Sequence, residues 1–249
     1  MRLQTLAALL LVACGDNSRV QEVADGPTDG TVDAEVVDAF KPMVRVFGHV
    51  EANGQPVFAA SVTTLEGTQL STTTDTDGNF YFDVVEGSRL IMRVDPIGLH
   101  DALPMIRGLI AYDHLRVRNF YIIIEDEVIA AESLGIEFDP TKAIVEVDFR
   151  NAAIGGYAAT LTPPGEPPLQ PAFGIVTDED GQPELGQTTI AGGNGSTLLL
   201  GGLSPGAVDF AAIVPAGATL PCQPRDAQPL PLEAGVVTWF DYECGEGED

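Results

Sequence analysis

From residue 44 onward the chain is a succession of short β-branched and aromatic runs, each closed by a turn signal. Val44–Val50, Ala60–Leu65, Leu70–Thr74, Phe80–Val84 and Arg89–Val94 are too short for helices and suit strands. Between them stand Asn53-Gly54, Glu66-Gly67-Thr68, Asp75-Thr76-Asp77-Gly78-Asn79 and Glu86-Gly87-Ser88. Asp77-Gly78 supplies the positive φ angles that tight hairpins require. With 27 Gly, 18 Pro and only 7% aromatics, the composition fits a turn-rich sheet protein. Such spacing predicts a β-sandwich or small barrel.

The pattern returns after Asp139-Pro140. Ala143–Phe149 echoes the opening run, and Gly156–Leu161 takes the place of Ala59–Leu65. Thr162–Pro171 is a loop and Phe173–Val176 a further strand. Thr188–Ala191 and Thr197–Leu200, separated by Gly192-Gly193-Asn194-Gly195, repeat the strand–turn–strand of Thr72–Phe82. Leu203-Ser204-Pro205-Gly206 stands where Val85-Glu86-Gly87 stood, and Gly235–Cys244 is the last strand. Asp95–Pro104 reads as loop and Val117–Ile124 as a closing strand. Glu125–Leu134 is predicted to be a short helix, with acids at its positive end and Gly135 as a stop. The expected fold is all-β: two tandem β-sandwich modules, prealbumin-like or Ig-like, over 44–139 and 140–249. Residues 14–43 are acidic, small and turn-forming, which predicts a disordered tether that like charges stretch.

Gly48-His49-Val50, Gly54-Gln55-Pro56-Val57, Ala60-Ser61-Val62-Thr63, Thr72–Phe80 and Val85-Glu86-Gly87 together resemble the carboxypeptidase regulatory-like domain. The resemblance covers roughly residues 44–95. It implies a transthyretin-like (prealbumin-type) sandwich of the kind common in bacterial surface proteins, and no catalytic residues.

Residues 1–13 have a basic start, a short apolar run and small residues before Cys14, the build of a secretory signal peptide. The run is too short to span a bilayer. Leu11-Val12-Ala13-Cys14 resembles the lipobox of bacterial lipoproteins, which implies cleavage before Cys14 and lipidation of its sulfur. Two or more acyl chains give stable anchoring. The other reading is cleavage after Ala13 with Cys14 an ordinary thiol. Gly15, where enteric bacteria use Asp to retain lipoproteins, implies the outer membrane. With Cys14 assigned to lipid, Cys222 and Cys244 remain as a pair. No His or further Cys lies nearby to complete a zinc site, so a disulfide is the better use.

The formal net charge of −25 disfavours nucleic acid and anionic membrane surfaces, which need clustered Lys and Arg. His49, His100 and His114 share no ligand spacing, and no Gly-x-Ser-x-Gly elbow, P-loop or His-Glu-x-x-His motif occurs. Asp75 and Asp77 are the residues that invite a calcium reading, and Asp178-Glu179-Asp180-Gly181 is similar, but the spacing is not that of an EF-hand. Both are turns first. Lys41 and Lys142 lie in no motif for a Lys–Asn cross-link. No cofactor is expected. The sequence thus predicts a non-catalytic lipoprotein of the cell envelope with a structural or adhesive role toward a protein or glycan. A carbohydrate-binding accessory module and a hydrolase with an unrecognised acidic pair are the alternatives.

Overall fold

The computed structural model describes residues 41–244 except 53, 98–101, 112–119, 122–133, 153, 179, 181, 193–195, 216–217 and 219–221. Cys14, the tether up to residue 40, His100, His114 and the helix expected over Glu125–Leu134, save Leu134 in a turn, lie outside the described residues.

Every regular element described is a strand. Their ranges are β1 Met43–Ala52, β2 Gln55–Pro56, β3 Ser61–Thr64, β4 Ser71–Thr73, β5 Asn79–Val85, β6 Arg89–Asp95, β7 Met105–Ile110 and β8 Phe120–Tyr121. The second half contributes β9 Ala143–Arg150, β10 Ala158–Thr162, β11 Phe173–Thr177, β12 Pro183–Leu185, β13 Thr197–Leu203 and β14 Gly206–Ile213. It ends with β15 Cys222–Pro224, β16 Leu230–Leu232 and β17 Val237–Cys244. Thr188–Ala191, expected as a strand, is not one. Its Ile190 is buried and exchanges backbone hydrogen bonds with Gly156 and Tyr157 instead.

The strands form three sheets. A small one has the order β2-β1-β5, with β8 also on β1, and another has the order β10-β14-β16. Between them runs a ten-stranded sheet, β12-β11-β13-β9-β17-β7-β6-β3-β4, with β15 on β17. Strands from both halves of the sequence therefore share one sheet. Their junction is β17, which pairs in parallel with β9 along its length and with β7 at Val237 and Thr238.

Each small sheet covers one face of the large one, giving two cores. On one face Val46, Val50, Phe80 and Phe82 pack with Leu90, Met92, Val94, Met105, Val237 and Trp239. On the other, Leu161, Val208, Phe210, Leu230 and Leu232 pack with Ile91, Ile106, Val145, Val147, Phe149, Phe240 and Tyr242. The Phe210 and Phe240 rings stack there at 4.2 Å. Double coverage explains why Leu90-Ile91-Met92 and Leu198-Leu199-Leu200 are unbroken apolar runs: neighbouring side chains enter different cores. The alternating β1 and β5 have one wet face, as their burial patterns show.

The same local device appears in both halves. Gly48 faces Phe80 across β1–β5, and Gly201 faces Phe173 across β13–β11. A Cβ at either glycine would overlap the opposing ring, so the aromatic takes the space the missing side chain leaves. The turns repeat too. Asp75 Oδ1 accepts the N–H groups of Asp77 and Asn79, both at 2.9 Å, and Asp178 Oδ1 accepts those of Asp180 and Gln182 at 2.9 and 2.6 Å.

Candidate functional site: an exposed cross-strand ladder

Period-two alternation sends Met43, Arg45, Phe47 and His49 of β1 to the outer face, opposite Val85, Asp83, Tyr81 and Asn79 of β5. Four rungs result, and each is a matched pair. The Arg45 guanidinium grips both Asp83 oxygens, Nε to Oδ1 at 2.7 Å and Nη2 to Oδ2 at 2.8 Å. Its Cζ also lies 4.4 Å from the centre of the Tyr81 ring. Phe47 and Tyr81 meet at 6.2 Å with their planes tilted by 49°. His49 Nδ1 is 3.0 Å from Asn79 Oδ1, and its Nε2 is 3.5 Å from Glu51 Oε1.

Hydrogen bonding from Arg45 holds the Asp83 carboxyl below its ordinary range, and the same bond raises Arg45. Each partner thus favours the charged form of the other. Met43, Phe47, Tyr81 and Val85 are 57%, 52%, 52% and 41% exposed. Apolar rungs thus alternate with polar ones on an open, fixed surface. That is a surface able to bind by contact and hydrogen bonding.

A second cluster is buried. Arg107 of β7 reaches from the first half of the sequence to two carboxylates of the second. Its Nε lies 3.3 Å from Asp226 Oδ1, its Nη2 bonds Asp241 Oδ2, and its Cζ sits 4.3 Å over the Trp239 ring. Asp226 Oδ2 accepts the Asp241 N–H at 2.6 Å, and Arg150 Nη2 adds a 3.0 Å bridge to Asp241. Asp148 accepts from Ser196 Oγ at 3.2 Å. Burial pushes the Asp226 carboxyl up to about 6, although Arg107 pulls the other way. Burial, then the Asp241 charge, raises Asp148 as well. For Arg107, burial alone would lower the guanidinium, but the charges of Asp226 and Asp241 outweigh it. These acids converge on a cation. A cavity of about 240 Å³ lies elsewhere, beside Val84, Leu70 and Leu90. We read the cluster as a clasp between the halves.

Of the residues singled out from the sequence, the structure joins Cys222 and Cys244 in a disulfide between directly paired positions of β15 and β17. Asp75 and Asp77 are exposed, with Asp75 occupied in capping its own turn. Among the described residues no group of three or more His, Cys, Asp or Glu could hold a metal ion. Lys41 is exposed and Lys142 half-buried. His49 lies on the ladder. Among the described residues no helix is long and apolar enough to cross a membrane.

No protein-family profile matches the chain, and no curated protein does. Among solved structures it is similar to the TIE protein of Bacillus anthracis, at 8% identity and a TM-score of 0.29. That match covers 81% of this chain and 34% of the other, so the chain spans about a third of that protein. BcpA, the major pilin subunit of Bacillus cereus, aligns at 8% identity and a TM-score of 0.30, covering 82% and 100%. A DUF3823 family protein from Bacteroides ovatus ATCC 8483 aligns at 10% and 0.28, covering 71% and 83%. Likenesses of this order bear on neither ligand nor assembly. Over its described residues the chain is an all-β protein of packed sheets with an exposed ladder on one outer face.

Proposed function

We propose that this is a lipid-anchored protein of the bacterial cell envelope, held by Cys14, whose folded part has a non-catalytic binding role. Leu11-Val12-Ala13-Cys14 and the acidic stretch after it support the anchor and the spacer. The outer membrane is the proposed address, and 44–139 and 140–249 are the proposed modules. The observation that carries the binding role is the ladder: Phe47 and Tyr81 stay half exposed while flanking ion-pair and hydrogen-bond rungs hold their surroundings fixed. A rigid amphipathic platform contributes contact area at low entropic cost.

A protein partner is the first reading. A glycan is the second, because an exposed aromatic pair between hydroxyl-binding Arg, Asp, His and Asn side chains also suits the face of a sugar ring. Cross-linking in detergent-solubilised membranes and a glycan array with the purified folded part tests both. Phe47→Ala/Tyr81→Ala should abolish whichever binding is found while leaving the circular dichroism spectrum unchanged. Binding that survives the double variant refutes the face. Labelling with a fatty-acid analogue tests the anchor, and a Cys14→Ser protein that still takes up label would overturn it.

A further inference from the structure

We infer that the outer edge of β5 accepts an extended, lysine- or arginine-flanked peptide of a partner protein as an added strand. This goes beyond the ladder reading, since it rests on backbone groups and a cavity rather than on the exposed side chains. The bonds Val50 N–H to Gly78 O and Glu86 N–H to Pro42 O bracket the β1–β5 register. Along an antiparallel pair, bonded and non-bonded positions alternate, so Phe80, Phe82 and Val84 bond β1. Tyr81, Asp83 and Val85 then turn their backbone groups away from β1. Val85 C=O accepts from Ser88, but no described strand pairs with β5 on this side. Tyr81 and Val85 are exposed beside this edge. Groups of this kind are matched in spacing only by another peptide backbone.

The cavity lies along the same edge. Its lining includes Val84, Leu70 and Leu90, and the Glu66–Arg89 ion pair, 2.9 Å long, stands beside them. A strand laid on β5 alternates its side chains between faces. The residue opposite Val84 therefore points to the cavity, which takes an apolar side chain. The next residues point to the ladder side.

Charge decides which peptide fits. Asp75 and Asp77 are exposed at the start of β5 and Glu86 follows its end. Among the described ion pairs none neutralises these three, whereas Asp83 and Glu66 are matched by Arg45 and Arg89. A second copy of the chain would bring another −25, and the chain's own upstream segment would bring Asp29, Asp33, Glu35 and Asp38. Both occupants add like charge to an acidic rim, while flanking lysines or arginines complement it.

The test uses the full chain, a fluorescein-labelled nonapeptide that alternates Thr with Val or Leu between paired lysines, and its counterpart with glutamates at the ends. Fluorescence anisotropy should show saturable binding of the lysine peptide, weakened by salt and about tenfold or more tighter than the glutamate peptide. Hydrogen exchange in the unaltered protein should slow at the Tyr81 and Asp83 amides when the lysine peptide is added. Tyr81→Pro removes one edge N–H and should abolish binding, and a lysine peptide N-methylated at the alternate residues whose N–H groups face β5 should bind at least about tenfold more weakly than one N-methylated at the residues between them. Absence of saturable binding, equal binding of the two peptides or unchanged amide exchange overturns the proposal. So does amide protection that is already present without peptide. Equal binding of the two N-methylated peptides would also overturn it.

Discussion

Replacing Arg107 with leucine takes away the cation that two buried carboxylates share. Asp226 and Asp241 are 9% and 0% exposed, so water cannot replace the guanidinium. Removing one partner of a buried ion pair costs about 3–5 kcal/mol, because the charge left behind stays desolvated. Asp241 keeps Arg150 at 3.0 Å, and Asp226 keeps the Asp241 amide at 2.6 Å. Those residual partners place the electrostatic loss near the lower end of that range. The lost contact over Trp239 adds about 0.5–1 kcal/mol. The sum is about 4 kcal/mol, a large share of a typical stability of about 5–15 kcal/mol. Urea unfolding of parent and variant at pH 7 and pH 5 measures it. The loss should shrink at pH 5, where Asp226, which titrates at about 6, is already largely neutral in the parent. A loss below about 1 kcal/mol at pH 7, or an equal loss at both pH values, refutes the idea of a shared cation.

Asp226 also sets a pH slope. Its folded pKa of about 6 lies above the ordinary 3.8, so the folded state holds the proton more tightly than the unfolded state. Stability from this residue is complete below about pH 4 and is lost as pH rises through 6, by up to about 3 kcal/mol. Asp226→Asn should flatten that part of the stability–pH curve, and parallel curves for parent and variant would contradict the assignment. Reducing the Cys222–Cys244 bridge, whose ends are 22 residues apart, should cost about 3 kcal/mol in thermal or urea unfolding. Gly48→Ala puts a Cβ into the Phe80 ring and should cost about 1–3 kcal/mol. Gly54→Ala is its control, because nothing lies within 4 Å of a Cβ there; its positive φ still carries some strain.

Wherever a strand has one wet face or ends at a Gly or Asx turn, its sequence announces it. Val44–Val50, Phe80–Val84 and Gly235–Cys244 are such cases, and the inward set Val44, Val46 and Val50 follows from alternation alone. β7 was illegible because Arg107 and Gly108 interrupt its apolar run, and a lone arginine reads as a solvated residue. Gly108 is required there by the approach of Leu230 and the Ala227 carbonyl, contacts that no local pattern encodes. β14 was missed because its small residues, Ala207, Ala211 and Ala212, carry little strand signal. The buried clasp has the same cause on a longer scale: Asp226 and Asp241 lie 119 and 134 residues from Arg107. For the ladder, each outward residue was readable from alternation, but the pairing of Arg45 with Asp83 and of Phe47 with Tyr81 needed the register.

The strand that hydrogen-bonds to both β7 and β9 comes after every other described strand in the chain. A growing or partly exported chain consequently carries two unfinished sheets whose inner edges have nothing to zip onto until residue 237 emerges. Such intermediates expose apolar faces and loose edges, which attract chaperones and proteases alike. Loss of β17 therefore leaves the two half-sheets unjoined, and its synthesis becomes the checkpoint at which they first meet.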